Sequence, residues 1–151
     1  MSERGDRAEK LFYEGYNCAQ AVFCAFSDVT GLETEEAARL ASSFGGGMGR
    51  LREVCGAVSG ALLVLGAVRG YSEPGVPEEK KRHYETVREF ARRFSEEFGS
   101  IVCRELLAGA GATVAVGGDP EPRTPEFYKK RPCPALIRRA AEIADGMIGR
   151  E

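Results

Sequence analysis

The chain has 151 residues, 43% of them hydrophobic and 29% charged, with a formal net charge of -2. That balance excludes a disordered chain, and without a long basic block nucleic acid has no electrostatic footprint to recognise. At this length a single domain with a real core is expected over residues 1–151.

The first ten residues, MSERGDRAEK, contain no apolar run of the secretory type. A cytoplasmic protein with reduced thiols at rest is therefore expected. Arg7 to Glu14 reads as a short amphipathic helix that turns Ala8, Leu11 and Phe12 inward, with Gly15 as its stop. Asn17 then has the chemistry of an N-cap, with Gln20 three residues on as the partner of a capping box. The helix it opens is expected over Cys18 to Phe26. Thr34 reads as the cap of a third helix, with Glu35 and Glu36 in the positive first turn. Its inner side is Ala37, Leu40, Ala41 and Phe44.

Four glycines follow in five residues, Gly45, Gly46, Gly47 and Gly49, and then Arg50 and Arg52. Backbone amides at a helix start together with arginine can hold an anion, while the plainer reading is a tight turn between helices. Either way the turn can wall a site beside Cys55. From Val54 to Val68 there is no charge. That run is too short for a membrane span, which needs about 20 residues, so it reads as the buried central helix of a bundle. Leu51, Val54, Cys55, Val58, Leu62 and Leu65 recur at helical spacing. Gly56 and Gly60 lie four apart on one face. Each costs roughly 1 kcal/mol against alanine in a helix interior, so something must approach the backbone there, a second helix or a ligand. With few other helices to cover this one, that face is also where a homodimer contact is expected.

Pro77 suits the first turn of the next helix, which runs to Phe98 with Tyr84, Val87, Phe90, Ala91, Phe94 and Phe98 on one face. Gly99 ends it, and Ser100 reads as the cap of a short helix over Ile101 to Ala108. Gly109 to Arg123 is rich in glycine and then proline. A loop of about 15 residues suggests function or mobility. Thr124-Pro125-Glu126 starts one turn, and Pro132-Cys133-Pro134 opens the last helix, whose inner face includes Leu136, Ile137, Ala140, Ile143, Ala144, Met147 and Ile148. The fold class is all-α, a compact bundle of five to seven helices around the buried central one.

Of the five cysteines, Cys18, Cys55, Cys103 and Cys133 each fall in or just before the first turns of an expected helix. A helix N-terminus carries roughly +0.5 charge and favours a thiolate. Cys24 lies in a helix body and reads as core packing. No two cysteines form a CxxC pair, which lowers the expectation of a zinc-finger-type site. Four inert buried thiols, an iron–sulfur cluster and redox-active thiol pairs all remain open on spacing alone. His83, the one histidine, reads as part of a solvated face.

Five motifs in order carry a resemblance. They are Asn17-Cys18-Ala19-Gln20, Phe44-Gly45-Gly46-Gly47-Met48-Gly49-Arg50, Cys55-Gly56-Ala57-Val58-Ser59-Gly60, Cys103-Arg104-Glu105-Leu106 and Cys133-Pro134. Together they resemble the C_GCAxxG_C_C family, named for its cysteine pattern and credited with redox activity on those cysteines. The resemblance runs from about Asn17 to Ala141. Cys18, Cys55, Cys103 and Cys133 match the four cysteines of the pattern, and Cys24 has no counterpart. It implies a small helical protein, often encoded near transport or oxidoreductase genes.

The first reading is a cytoplasmic redox-active or metal-binding protein. Cys18, Cys55, Cys103 and Cys133 converge on one site as redox groups or as ligands of an iron–sulfur cluster or other soft metal. Gly46, Gly47, Gly56 and Gly60 are the expected cofactor contacts. An electron-transfer or oxidoreductase partner goes with that reading, and neither nucleic acid nor a membrane span does. The alternatives are a metal-free thiol–disulfide oxidoreductase and a non-redox helical interaction module.

Overall fold

The computed structural model describes residues 3–149. The fold is all-α. Among the described residues the one β-type pairing is an isolated antiparallel bridge between Val54 and Val102. The helices are α1 (Glu3–Tyr13), α2 (Cys18–Cys24), α3 (Ser27–Thr30), α4 (Thr34–Ala41), α5 (Gly45–Met48), α6 (Gly56–Arg69), α7 (Pro77–Phe98), α8 (Cys103–Gly109), α9 (Pro125–Lys130) and α10 (Cys133–Ile148). A 3-10 turn, Ser42–Phe44, joins α4 to α5. The described residues thus hold more segments than the five to seven expected. One cause is that the helix expected over Cys18 to Phe26 breaks after Cys24, and a separate turn, α3, follows. Another is that the glycine stretch is itself wound into the turn α5.

The buried hub is α2 rather than α6. Ala19, Ala21, Val22, Phe23 and Cys24 are all buried, and α2 packs against α1, α4, α6 and α10. The helix α6 is apolar on every side, yet only one face is buried, through Ala57, Val58, Ala61, Val64 and Leu65. Gly66 and Ala67 are exposed, and Leu62 and Leu63 are half-buried. Its small-residue face meets α2 in the same chain. A Cβ added at Gly60 would lie 2.6 Å from the Ala19 carbonyl oxygen and 3.1 Å from the Val22 Cβ. The expectation that this face meets a second copy therefore loses its premise, because α2 already covers it.

Local capping mostly follows the chemistry of the residues. Asn17 accepts from the Gln20 amide at 2.9 Å, and its own amide donates to Gln20 Oε1 at 3.0 Å. The cap of α4 falls one residue earlier than expected, on Glu33, with Glu36 completing the box. In α4, Ala37 and Ala41 are buried, but Leu40 is 57% exposed. Gly99 closes α7 at φ 91°, a left-handed value that favours glycine. Only Phe90 and Phe94 of α7 are buried, and Tyr84 is exposed. Thr124 caps α9 by accepting from the Phe127 amide at 3.2 Å. Arg138 on α10 is tied to Asp6 and to Glu9, the latter at 2.9 Å, which fixes α1 along α10. Among the described residues no helix is long and apolar enough to cross a membrane.

Two glycines of α6 should respond in opposite ways. Gly60→Ala forces a methyl against the α2 backbone and should lower stability by about 1–3 kcal/mol. Gly66→Ala meets nothing within 4 Å and should raise it by about 0.5–1 kcal/mol through helix propensity. Urea unfolding of both variants checks this; equal effects would place α2 away from α6.

Candidate cysteine site

Four chain segments bring four cysteines to one cavity. Cys18 is the first residue of α2 and Cys133 the first of α10. Cys55 immediately precedes α6, and Cys103 is the first residue of α8. The Val54–Val102 bridge holds the last two together. The Cys55 amide donates to the Ile101 carbonyl at 2.7 Å, and the Cys103 amide donates to the Glu53 carbonyl at 2.5 Å. Side chains alternate across such a bridge, so positions 55 and 103 share a side. Cys18 reaches them because Gly56 has no side chain: a Cβ there would sit 2.9 Å from Cys18 Cβ and 3.0 Å from the Phe44 carbonyl oxygen. All four cysteines line a cavity of about 330 Å³. Cys24 does not. It is buried, and its Sγ faces the Thr34 carbonyl oxygen at 3.7 Å.

The glycine stretch forms one wall. Six of the seven residues from 46 to 52 have positive φ: Gly46, Gly47, Met48, Gly49, Arg50 and Arg52. For residues with a side chain the left-handed conformation costs roughly 1–2 kcal/mol each. Amide bonds across the turn hold it in place. The Arg52 amide donates to the Gly46 carbonyl at 3.2 Å and the Glu53 amide to the Gly47 carbonyl at 2.9 Å. At Gly47 only glycine fits, since a Cβ would lie 2.7 Å from Arg52 Cα. Gly46, Gly47 and Gly56 line the cavity, whereas Gly60 is not among the lining residues and serves helix packing instead. Leu51, expected on the helix face, lies outside α6 and is 52% exposed.

The outer wall is the long segment between α8 and α9. Arg50 Nε donates to the Gly117 carbonyl at 2.8 Å, and the Gly117 amide donates to the Arg50 carbonyl at 2.8 Å. Arg52 Nε donates to the Ala115 carbonyl at 2.9 Å. Four guanidinium groups, from Arg50, Arg52, Arg123 and Arg131, border the cavity, against the single carboxylate of Glu121. Glu121 pairs with Arg131 at 2.5 Å and with Arg50 at 3.6 Å. Arg50 and Arg52 stand out in the sequence beside the glycines, whereas Arg123, Arg131 and Glu121 escape a reading of the sequence alone. The available signal was a proline-rich stretch crowded with ionisable residues that ends at Cys133.

The thiols differ in proton affinity. A hydrogen bond between Cys18 and Cys133 is the main influence on both: it holds the Cys18 proton and favours the Cys133 thiolate. Burial raises the Cys18 thiol further. Burial also opposes ionisation of Cys133, but Arg131, Arg123 and Arg52 outweigh it together with Cys18, and its pKa falls below the ordinary thiol value. Burial pushes Cys55 up to about 12 despite the pull of the Val58 and Ala57 amides. Cys103 is also raised by burial, against the pull of Arg52, whose Nη1 donates to Cys103 Sγ at 3.7 Å.

A shared metal needs several sulfurs at about 2.3 Å from one point. Among the described residues no group of three or more Cys, His, Asp or Glu is arranged to hold a metal ion. The four thiols border one cavity, and among the described residues they do not form a ligand set. His83 lies elsewhere, half-buried on α7 against the ring of Tyr71.

Helical scaffold and cavity together define a small all-α protein whose chemistry centres on unpaired, polarised thiols. A family model described as "Putative redox-active protein (C_GCAxxG_C_C)" matches residues 16–147. The chain belongs to that family. Neither the curated proteins nor the solved structures contain a match to it.

Reactivity should follow the split in proton affinity. Because the Cys133 pKa is lowered, its thiolate fraction at a given pH exceeds that of an ordinary thiol, and its alkylation midpoint is lowered with it. Cys55, at about 12, and Cys18, raised well above the ordinary thiol value, should react after Cys133. Peptide mapping of limited iodoacetamide alkylation between pH 6 and 9 tests the order. Cys55 reacting before Cys133 would contradict it.

Proposed function

We propose that the protein is a cytoplasmic thiol–disulfide oxidoreductase in which Cys133 is the attacking thiolate and Cys18 the resolving thiol. The observation that carries this reading is that Cys18 and Cys133 line one cavity and shift each other's proton affinity in opposite directions. Cys133 is shifted toward the thiolate and Cys18 toward the thiol, inside a cavity bordered by guanidinium groups. The thiolate is the nucleophile of disulfide exchange, and it needs both access and a lowered pKa. Cys133 is half-buried and opens to the cavity.

In the exchange, Cys133 Sγ attacks one sulfur of a substrate disulfide. A Cys133–substrate S–S bond forms, the substrate S–S bond breaks, and the other half leaves as a thiolate. Cys18 then gives its proton to that leaving thiolate and attacks Cys133 Sγ. A Cys18–Cys133 disulfide forms, the Cys133–substrate S–S bond breaks, and the second substrate half leaves as a thiolate that takes its proton from water. The substrate disulfide gains two electrons and the protein dithiol loses two. A dithiol or oxidoreductase partner returns them. Cys103 and Cys55 are adjacent reduced thiols that shape the cavity, with Cys55 held protonated by burial.

Three variants separate the roles. Cys133→Ser should abolish exchange with a small disulfide. Cys18→Ser should stop after the first step and accumulate a mixed disulfide on Cys133, visible as one added substrate half by intact mass. Cys24→Ala should keep full exchange and lose about 1 kcal/mol of stability at most, as a buried truncation. A Cys18→Ser protein that turns over like the parent would remove Cys18 from the resolving role. Metal analysis of anaerobically purified protein should find no iron in proportion to protein; a stoichiometric iron content with thiolate-to-iron absorption would favour a cluster instead.

A further inference from the structure

Arg52 carries a feature that thiol exchange does not use. Its side chain is charged and only 3% exposed. Nε is bound to the Ala115 carbonyl and Nη1 faces Cys103 Sγ. Nη2 is buried and has no hydrogen-bond partner. An unmade bond at a buried charged group costs more than at a neutral one. No carboxylate pairs with Arg52 among the described residues. Its backbone adds to the cost, with φ 63° at a non-glycine position. The group lines the cavity beside the cysteines.

The surroundings do not neutralise it. Arg131 and Arg50 share the one nearby carboxylate, Glu121. Arg123 spends its donors on neutral oxygens: the carbonyls of Phe12 and Tyr16, both at 2.9 Å, and the Tyr128 hydroxyl at 3.3 Å. Its plane stacks over the Phe12 ring at 4.4 Å. Arg52 and Arg123 thus face a small concave space without an ion pair of their own among the described residues; Glu121 and Cys133 act on Arg52 only through its field. The same cavity has apolar walls, including Leu106, Leu107, Phe127 and Leu136. A few convergent polar groups in a largely apolar cavity are the pattern of a small-molecule site.

We propose that this cavity binds a small anionic substrate. A carboxylate or tetrahedral oxyanion accepts from Arg52 Nη2, and an apolar remainder carries the reacting sulfur toward Cys103 and Cys133. The inference deepens the oxidoreductase reading and rests on it for the nature of the reacting atom. The anion site itself stands on Arg52 alone. It also separates this protein from oxidoreductases that act on protein disulfides across an open surface, because a cavity of about 330 Å³ takes a small molecule.

Alkylation kinetics test the site without requiring a disulfide. The same thiolate sulfur attacks the α-carbon of iodoacetate or iodoacetamide, forming an S–C bond and releasing iodide, and the two reagents differ in the negative charge. Their rate ratio at Cys133 and at Cys103 is compared with the ratio for free cysteine at the same pH. The anion site should raise the iodoacetate/iodoacetamide ratio several-fold above that of free cysteine. Sulfate or acetate, substituted for chloride at constant ionic strength so that screening is unchanged, should bring it down. Competition by sulfate marks the oxyanion, and competition by acetate alone marks the carboxylate. Arg52→Gln, if folded by circular dichroism, should bring the iodoacetate/iodoacetamide ratio at Cys133 down to that of free cysteine, a ratio in which the accompanying change in thiolate fraction cancels. A ratio no higher than that of free cysteine overturns the proposal, as does one that neither anion changes. Both outcomes are read on the parent protein, so they decide the matter even should Arg52→Gln not fold. A raised, competable ratio in a protein that forms no Cys18–Cys133 disulfide would leave the anion site standing and remove the exchange reading.

Discussion

The close approach of α2 to α6 is the contact on which the rest of the site depends. Gly56 and Gly60 leave no room for a Cβ, at 2.9 Å from Cys18 Cβ and 2.6 Å from the Ala19 carbonyl oxygen. That spacing lets the first turn of α2 lie on the first turn of α6. Cys18 is thereby brought beside the residue that opens α6, Cys55. The helix-propensity cost of two glycines, roughly 1 kcal/mol each, is offset by the burial of Val22, Val58 and their neighbours in the shared core. Once α2 is fixed, α1, α4 and α10 pack around it, and Cys133 arrives at the start of α10. A short bridge then adds Cys103. The cavity is a consequence of where helices begin.

Electrostatics then divides four chemically identical thiols into different states. Burial alone would keep all of them protonated, since transferring a charge from water to a low-dielectric site is costly. Cys55 shows that limit, at about 12. Cys133 escapes it because Cys18 donates to it and three arginines lie near. The arginines are held by backbone carbonyls and by one glutamate, so much of their positive potential remains in the cavity. The strained left-handed run from Gly46 to Arg52 is what turns Arg52 inward, with its Nη2 left unpaired. Strain of this kind persists only where surrounding contacts over-determine it, and here the long segment before α9 supplies them.

Part of this was legible in the sequence and part was not, for identifiable reasons. The helix starts could be read because capping is local: Asn17 with Gln20, Thr124 before Pro125, and Pro77 in a first turn each signal within four residues. The cysteines at those starts could be read with them. The role of Gly56 was legible as a close approach, but its partner was not, and a second copy was expected where α2 lies. Hydropathy misplaced the hub. The apolar run of α6 is long and conspicuous, while α2 is seven residues with no period to detect, yet α2 is the more buried. Leu40, Leu51 and Tyr84 followed helical spacing and still face solvent, since period does not say whether a neighbour exists to cover a face. The Val54–Val102 pairing and the arginine wall join segments about 50 or more residues apart and leave no local trace. Positive φ at Arg50 and Arg52 runs against residue preference, so the glycines announced a turn without announcing its hand.

Cys18 and Cys133 acting as one redox pair is the central requirement of the mechanism. Carbon-13 NMR of cysteine-labelled protein reads it directly, because the Cβ shift separates thiol from disulfide for each assigned cysteine. On titration with oxidised dithiothreitol, the Cys18 and Cys133 signals should move together to the disulfide range at one potential and return on reduction. Those of Cys24, Cys55 and Cys103 should stay in the thiol range throughout. Oxidation that joins Cys55 to Cys103, or leaves Cys18 and Cys133 as thiols under strongly oxidising conditions, would contradict it.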